Sequence, residues 1–160
     1  MDKNFQPKLV EDTIYKMWES GGYFAPVKTD KKDLPKGRKP FSILLPPPNA
    51  NADLHVGHAM YVVEDIMVRF HRMMGDPTLW LPGADHAGFE TQFVYEKHLA
   101  KQGKSRFDFD RETLYKDIWN FVHENRGKME NQLRRLGFSL DWSRNIFTLD
   151  PHVVNTVYGL

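Results

Sequence analysis

The sequence has no cysteine and almost no net charge. Without cysteine, neither a disulfide nor a thiolate zinc site can form, which agrees with a reducing compartment. The 22 basic residues nearly balance the 21 acidic ones, so the overall charge provides no large basic surface for nucleic acid. The sequence also lacks a signal peptide at its start and any uninterrupted run of about 18 apolar residues. These absences predict a cytoplasmic protein with no membrane partner.

Apolar residues recur at helical and at strand spacings in turn along the chain. Helices are predicted at 7–20, from His55 to about Met73, at 89–101, at 110–136, and from Asp150 to the end of the chain. Short buried strands are predicted at 41–45 and 78–81, and a basic surface loop at 28–40. Strands alternating with helices indicate parallel βαβ units. The predicted fold class is therefore α/β, with parallel strands, flanking helices and an additional N-terminal helix.

The aromatic residues of the second half are predicted to be core residues rather than surfaces for stacking bases. The residues concerned are Phe107, Phe109, Trp119, Phe121 and Trp142. Aromatic side chains are large hydrophobic groups that usually dominate protein cores.

Two unusual segments of the sequence each follow a predicted strand. PPPNANADLHVGH follows the first strand, and PGADHAG follows the second. In open α/β sheets, ligands bind beyond the carboxyl ends of the strands. The two segments are therefore expected to build one composite site.

The first segment leads from a stiff proline turn into a helix N-terminus, which attracts phosphate. Gly57 leaves room for a ligand, and His55 and His58, three residues apart, can face one side of the first turn. Both imidazoles can donate hydrogen bonds to phosphate oxygens. On the pattern alone, two alternatives stay open: a metal pair completed by His86, or two incidental polar residues.

The second segment places Asp85 on a loop between a strand and a helix. A carboxylate there suits an ammonium group or a sugar hydroxyl, although such a residue more commonly caps the following helix. Beside an amino-acid site, binding of an ammonium group becomes the better hypothesis. His86 is ambiguous, since it could simply form hydrogen bonds within the loop.

Together, PPPN, LHVGHA and LPGADHAG followed by TQ resemble the class I aminoacyl-tRNA synthetases and, among them, the valyl-tRNA synthetase family. The HVGH sequence at 55–58 is similar to the first signature of the class, whose type form is His-Ile-Gly-His. Further similar segments lie at 106–109, 129–132 and 140–144. The resemblance therefore covers nearly the whole chain.

This resemblance implies the first half of a Rossmann-like catalytic domain in an enzyme that activates valine with ATP and transfers it to tRNA(Val). Mg²⁺ would accompany ATP as part of the substrate, and no structural zinc is expected. The implied amino-acid-binding residues are Pro46, Pro47, Asn49 and Asp85. The implied ATP-binding residues are Asn49, His55, Gly57 and His58, of which the two histidines are the implied catalytic residues.

The resemblance also divides the chain into an N-terminal helix with a basic loop at 1–40 and half of the nucleotide-binding catalytic domain at 41–160. The editing insertion, the second signature Lys-Met-Ser-Lys-Ser and the anticodon-binding domain are expected to be absent. This piece alone is therefore expected to be inactive or very weak, with tRNA bound mainly elsewhere. The full-length enzyme is expected to be monomeric, whereas an open sheet edge would allow the piece to self-associate.

The chain departs from the family pattern at two places. Ala-Asn-Ala at 50–52 stands where the family usually has Val-Thr-Gly, and Glu90 stands where it usually has alanine. Three alternative hypotheses remain: an isoleucyl- or leucyl-tRNA synthetase, a small nucleotidyltransferase of the same superfamily, and a binding module without turnover.

Overall fold

The computed structural model describes residues 4–26 and 37–160 and contains five helices and four short strands in those ranges. The helices are α1 (Pro7–Ser20), α2 (Met60–Met73), α3 (Gly88–Lys101), α4 (Arg111–Arg135) and α5 (Pro151–Tyr158). The strands are β1 (Phe41–Leu44), β2 (Thr78–Leu81), β3 (Gly83–Ala84) and β4 (Ile146–Phe147). Parallel pairing joins β1 to β2 and β3 to β4. The predicted α/β class with parallel strands and flanking helices is thus confirmed.

Except at the start of α2, which lies five residues beyond the predicted start at His55, the helix boundaries lie within two residues of the predicted ones because their signals are local. At the start of α4, Asp110 Oδ1 accepts hydrogen bonds from the backbone N–H groups of Glu112 and Thr113, both at 2.9 Å, as an N-cap does. The prediction for the last helix was two residues too long, because α5 ends at Tyr158. None of the described helices is both long enough and apolar enough to cross a membrane.

The sequence analysis missed β3 and β4, and its prediction of core aromatic residues was wrong for Phe107 and for Trp119, which is 37% exposed. Each of these strands is two residues long, too short for a period to register. Phe107 is 81% exposed. It lies in a 3₁₀ turn closed by a capping box between Ser105 and Asp108, and the Arg106 guanidinium covers its ring at 4.7 Å.

The chain divides into two units, which are described separately below. The first comprises Met1–Leu45, Val56–Pro82 and Leu133–Asn145, and the second comprises Pro46–His55, Gly83–Gln132 and Ile146–Leu160. Most of the predicted basic loop at 28–40 lies outside the described residues. The proposed boundary at residue 40 therefore stays a prediction.

In the first unit, α2 packs on a two-stranded sheet. Phe41 lies opposite Thr78 and Leu44 opposite Leu81, while α2 contacts both strands. Trp80 of β2 is fully buried, and its indole N–H donates to Glu64 at 3.1 Å. Burial raises the pKa of Glu64, and this hydrogen bond partly opposes the rise.

The hydrogen bonds of two polar side chains, Tyr15 and Asp65, stabilise the first unit. The hydroxyl of Tyr15 donates to the Phe138 carbonyl at 2.8 Å and accepts from Trp142 Nε1 at 2.7 Å. Burial raises the pKa of Tyr15 to about 12, so the hydroxyl keeps its proton at neutral pH. The second side chain is Asp65, whose carboxylate accepts from the backbone N–H and the hydroxyl of Ser139.

In the second unit, the core forms around the β3–β4 pair. Its buried members are Ala50, Ala84, Val122, Met129 and Phe147. A Cβ atom at Gly83 would lie 3.2 Å from the Ile146 carbonyl oxygen and 3.6 Å from Pro47 Cβ. Glycine is therefore the residue that lets the segments on either side of β3 approach this closely.

Candidate functional site

Three extended segments of the second unit lie side by side and end at the same edge. Asn49 and Asp85 form a parallel bridge, flanked by two backbone hydrogen bonds of 2.7 and 3.0 Å. On the other side, the Thr148 N–H donates to the Ala84 carbonyl at 3.2 Å. The carboxyl ends of these neighbouring segments thus carry Asn49, Asp85 and Thr148, where an α/β sheet usually binds its ligand.

The prolines before Asn49 shape the first of these segments. Proline favours an extended conformation and has no N–H to donate, so the prolines can take part in backbone hydrogen bonds only through their carbonyl groups. The carbonyl of Pro48 accepts from the Asp85 N–H at 3.0 Å. Pro48 is buried, whereas Pro46 and Pro47 are exposed. The predicted site residues Pro46, Pro47 and Asn49 therefore lie on one short segment, which pairs with the segment of Asp85 at Asn49.

One oxygen of the Asp85 carboxylate is held by the protein. Oδ1 accepts from the Thr148 hydroxyl at 3.0 Å and from the Ala87 N–H at 3.1 Å. The side chain is 38% exposed, and no described residue forms a hydrogen bond with Oδ2. Asp85 is not the cap of α3, because the N-cap residue is Ala87. The carboxylate is thus oriented at one oxygen and accessible at the other.

The loop after Asp85 is tightly wound. Ala87 has φ 51° and ψ 21°, the left-handed region that non-glycine residues rarely occupy. The Thr91 hydroxyl donates to the His86 carbonyl at 2.6 Å and closes the loop against the first turn of α3. Such backbone strain, on the order of 1–3 kcal/mol, persists where surrounding contacts impose it, and it often marks a functional site.

The Asn49 side chain is also oriented. Its Nδ2 donates to Glu90 Oε2 at 2.8 Å. Glu90 lies in the first turn of α3, where the helix dipole favours a negative charge. Because the amide nitrogen is directed to Glu90, the amide oxygen of Asn49 is set as an acceptor.

The HVGH sequence folds differently from its prediction. The described chain forms a 3₁₀ turn at Val56–Ala59 before α2 begins at Met60, so His55 precedes a 3₁₀ turn and not an α-helix. Within the first unit, the half-buried His58 ring lies 5.5 Å from the ring of Tyr61. Burial raises the pKa of Tyr61 to about 12. Gly57 is exposed at the turn.

The zinc hypothesis required His86 as a third ligand beside the two histidines of HVGH. Among the described residues, no group of three or more His, Cys, Asp or Glu side chains could hold a metal ion. His86 instead places Nδ1 2.6 Å from the Thr148 hydroxyl oxygen. The ring therefore belongs to the hydrogen-bond cluster around Asp85.

Thr148 and the contact of Glu90 with Asn49 were missed by the sequence analysis. Thr148 lies 62 residues beyond His86, and no local pattern links the two positions. Only the β3–β4 register, which places Ala84 opposite Phe147, aligns them. Glu90 was noted as an added negative charge, but its partner could not be read from the sequence.

Comparison with known proteins now identifies the class. The family model "tRNA synthetases class I (I, L, M and V)" matches residues 13–160, and the chain belongs to this family. Its relatives include valine–tRNA ligases: the chloroplastic/mitochondrial valine–tRNA ligase 2 of Arabidopsis thaliana is 51% identical over 148 residues. The valine–tRNA ligase of Dehalococcoides mccartyi (strain 195) is 47% identical over 158 residues.

The match covers nearly all of this chain and a small part of each relative. It spans 92% of the chain and 15% of the Arabidopsis protein, and 98% of the chain and 17% of the Dehalococcoides protein. The chain thus spans about a sixth of the length of the curated relatives it matches.

A solved structure confirms the class I synthetase fold. In the crystal structure of the ternary complex of Agrobacterium radiobacter K84 agnB2 LeuRS–tRNA–LeuAMS, the matching chain superposes with a TM-score of 0.69 at 20% sequence identity. The match covers 94% of this chain and 16% of that chain. At this level of identity the similarity concerns the fold alone.

Proposed function

We propose that this chain carries the ATP- and amino-acid-binding part of a valine–tRNA ligase. The enzyme would join valine to the α-phosphate of ATP, release pyrophosphate, and transfer the valyl group to tRNA(Val). The observation that carries the proposal is the Asp85 carboxylate, of which only Oδ1 is hydrogen-bonded to described residues. Its backbone is bridged to Asn49 at the carboxyl ends of parallel segments. Membership of the class I family and identities of 47–51% to two valine–tRNA ligases support the choice of valine.

On the amino-acid side, Asp85 would bind the ammonium group of valine. Its Oδ1 is already fixed by Thr148 and Ala87, so the carboxylate needs little reorganisation when the ligand arrives. Hydrogen bonds to an ionised group are the stronger kind, worth about 1.5–3 kcal/mol. Asn49, with Pro46 and Pro47 on the same segment, would line the remainder of the pocket.

On the ATP side, His55, Gly57 and His58 would contact the phosphates, together with Asn49. Imidazole donors stabilise the charge that grows on the α-phosphate as it is attacked. The valine carboxylate is itself the nucleophile, so no side chain forms a covalent intermediate. Catalysis then consists of positioning and charge stabilisation, with Mg²⁺ entering as part of the ATP substrate.

We also propose a division of the chain into two parts and a cellular compartment. Residues 1–40 would form an N-terminal helix and basic loop, and 41–160 the first half of the catalytic domain. The proposed compartment is the cytoplasm. Because the Arabidopsis relative is a chloroplastic/mitochondrial protein, fluorescence of a tagged chain in its own cells would test the compartment directly.

Calorimetric titration with a non-hydrolysable valyl-adenylate analogue tests the function. Saturable binding is expected, and the isoleucyl analogue should bind more weakly, since one methylene is worth about 1–3 kcal/mol. An analogue without the amino group should also bind more weakly, because Asp85 then loses its partner. His58→Ala should weaken every analogue through the shared phosphate-like group.

Each result has a defined meaning. Tighter binding of the isoleucyl analogue would overturn the assignment of valine and keep the class. Equal binding of the analogue without an amino group would contradict the role of Asp85. Absence of binding by a chain shown to be folded by circular dichroism would contradict the proposal that this chain holds the site.

A further inference from the structure

The hydroxyl of Thr148 makes three contacts with only one proton of its own. Its oxygen lies 3.0 Å from Asp85 Oδ1, 2.9 Å from the backbone nitrogen of His86 and 2.6 Å from His86 Nδ1. A hydroxyl can donate one hydrogen bond and accept two. The three contacts together therefore use its full capacity, and the direction of each can be deduced.

Two of the directions follow from chemistry alone. The His86 backbone N–H can only donate, and an ionised Asp85 carboxylate can only accept. The Thr148 proton is therefore given to Asp85. His86 Nδ1 must then carry a proton and donate it to the Thr148 oxygen. The opposite tautomer would leave two acceptors competing for one proton.

A second distance agrees with this direction. His86 Nδ1 also lies 3.4 Å from Asp85 Oδ1, where a proton on Nδ1 is attracted to the carboxylate and a lone pair is repelled. A neutral imidazole with its proton on Nδ1 has a bare Nε2, which is an acceptor. The His86 side chain is 37% exposed, so it is accessible to a ligand.

We propose that Thr148 is a positioning residue that fixes neutral His86 as its Nδ1–H tautomer, so that Nε2 accepts a hydrogen bond from the ammonium group of the ligand. The ligand part of this inference rests on the proposed function. A primary ammonium has three donors, and Asp85 Oδ2 satisfies one of them. His86 Nε2 supplies a second acceptor from the same loop, without adding a donor that would repel the cation.

The tautomer is tested without any ligand. Long-range proton–nitrogen correlation spectra of the full chain with ¹⁵N-labelled histidine, recorded at about pH 8, where imidazole is ordinarily neutral, separate the two tautomers. We expect His86 to carry its proton on Nδ1. A proton on Nε2, or an equal mixture, would overturn the inference even if substitution of Thr148 proved to disrupt folding.

Two matched variants test the role of Thr148. Thr148→Val keeps the shape and removes the hydroxyl, whereas Thr148→Ser keeps the hydroxyl. Thr148→Val should shift the His86 tautomer and weaken the valyl-adenylate analogue about tenfold, and Thr148→Ser should retain both properties. An unchanged tautomer in Thr148→Val would show that Thr148 does not set it.

The ligand part is tested with His86→Asn, whose side-chain amide can still donate to Thr148 but has no counterpart of Nε2. This variant should bind the valyl-adenylate analogue about tenfold more weakly and leave the affinity for the analogue without an amino group unchanged. Equal loss for both analogues, or no loss, would overturn the inference. Asp85→Asn measured alongside separates the two proposals: if it alone weakens the valyl analogue, the proposed function stands and the role of His86 fails.

Discussion

Two aspartates of this chain each accept a hydrogen bond from a hydroxyl group at one carboxylate oxygen. They differ in whether the second carboxylate oxygen is also hydrogen-bonded within the protein. In the first unit, Asp65 Oδ1 accepts from the Ser139 hydroxyl at 2.6 Å, and Oδ2 accepts from Arg69 Nε at 2.6 Å. In the second unit, Asp85 Oδ1 accepts from the Thr148 hydroxyl at 3.0 Å, and no described residue is bonded to Oδ2. Asp65 is 13% exposed and Asp85 38% exposed.

The difference separates a structural carboxylate from one available to a ligand. Burying a carboxylate is unfavourable unless its oxygens find donors, and Asp65 finds them on both oxygens within the protein. Asp85 is oriented through one oxygen and stays solvated at the other. A carboxylate of this second kind gains a partner when a cation binds, whereas Asp65 would have to give one up.

The largest expected effect comes from removing the charge of Asp85. Asp85→Asn keeps an oxygen for Thr148 but loses the charge that attracts an ammonium group. The affinity for the valyl-adenylate analogue should fall by about 2–3 kcal/mol, roughly 30- to 150-fold, as measured by calorimetry. Asp65→Asn is the matched control and should bind the analogue normally while it is folded. Equal weakening in both variants would show that the accessible carboxylate of Asp85 has no special role in binding the ligand.

The second prediction concerns stability, for which Asp65 should matter more than Asp85. Asp65→Asn replaces a carboxylate oxygen beside Arg69 with an atom that cannot accept, so the free energy of unfolding should fall by about 2 kcal/mol. Urea denaturation followed by circular dichroism measures it. Asp85→Asn should change the same quantity by less than about 0.5 kcal/mol, as for most accessible positions. A larger loss at Asp85 would show that its role is structural.

The parts of this picture that could be predicted rest on local signals. The periods and caps of α1 and α4 place those helices within a residue or two of their observed ends. The segments PPPN and ADHAG were expected to meet because parallel strands end at a common edge, and the structure pairs Asn49 with Asp85.

The rest could not be predicted because it depends on contacts between distant parts of the chain. Thr148 contacts Asp85 because the pairing of β3 with β4, each two residues long, places the two residues side by side. The separation of Asp65 from Asp85 likewise depends on how many donors surround each carboxylate. In the sequence, both are aspartates near apolar residues, with nothing that distinguishes a satisfied carboxylate from an accessible one.

A smaller effect is expected at Glu90, which orients the Asn49 amide. Glu90→Ala removes the acceptor 2.8 Å from Asn49 Nδ2 and should weaken the valyl-adenylate analogue about three- to fivefold, since a single hydrogen bond contributes about 0.5–1.5 kcal/mol. Glu90→Gln keeps an acceptor and should lose less. Stronger binding by Glu90→Ala would instead mean that the charge of Glu90 repels the ligand.

The smallest effect extends the comparison to Glu64, the neighbour of Asp65. Three donors surround Asp65, whereas Glu64 has the single indole N–H of Trp80 among the described residues, and its pKa is raised by burial above 4.5. The folded chain therefore binds this proton more tightly than the unfolded chain. The stability that Glu64 contributes is present below pH 4.5 and is lost as the pH rises through the folded pKa.

Glu64→Gln keeps an oxygen for Trp80 and cannot ionise, so it isolates this contribution. As the pH rises from about 4, the urea midpoint of the original chain should decline relative to that of Glu64→Gln, and the gap should widen until the pH has passed the folded pKa of Glu64. A constant gap would mean that one donor is enough to offset the burial of a carboxylate. The number of donors would then no longer explain why Asp65 is structural, and the distinction between Asp65 and Asp85 would rest on their exposure alone.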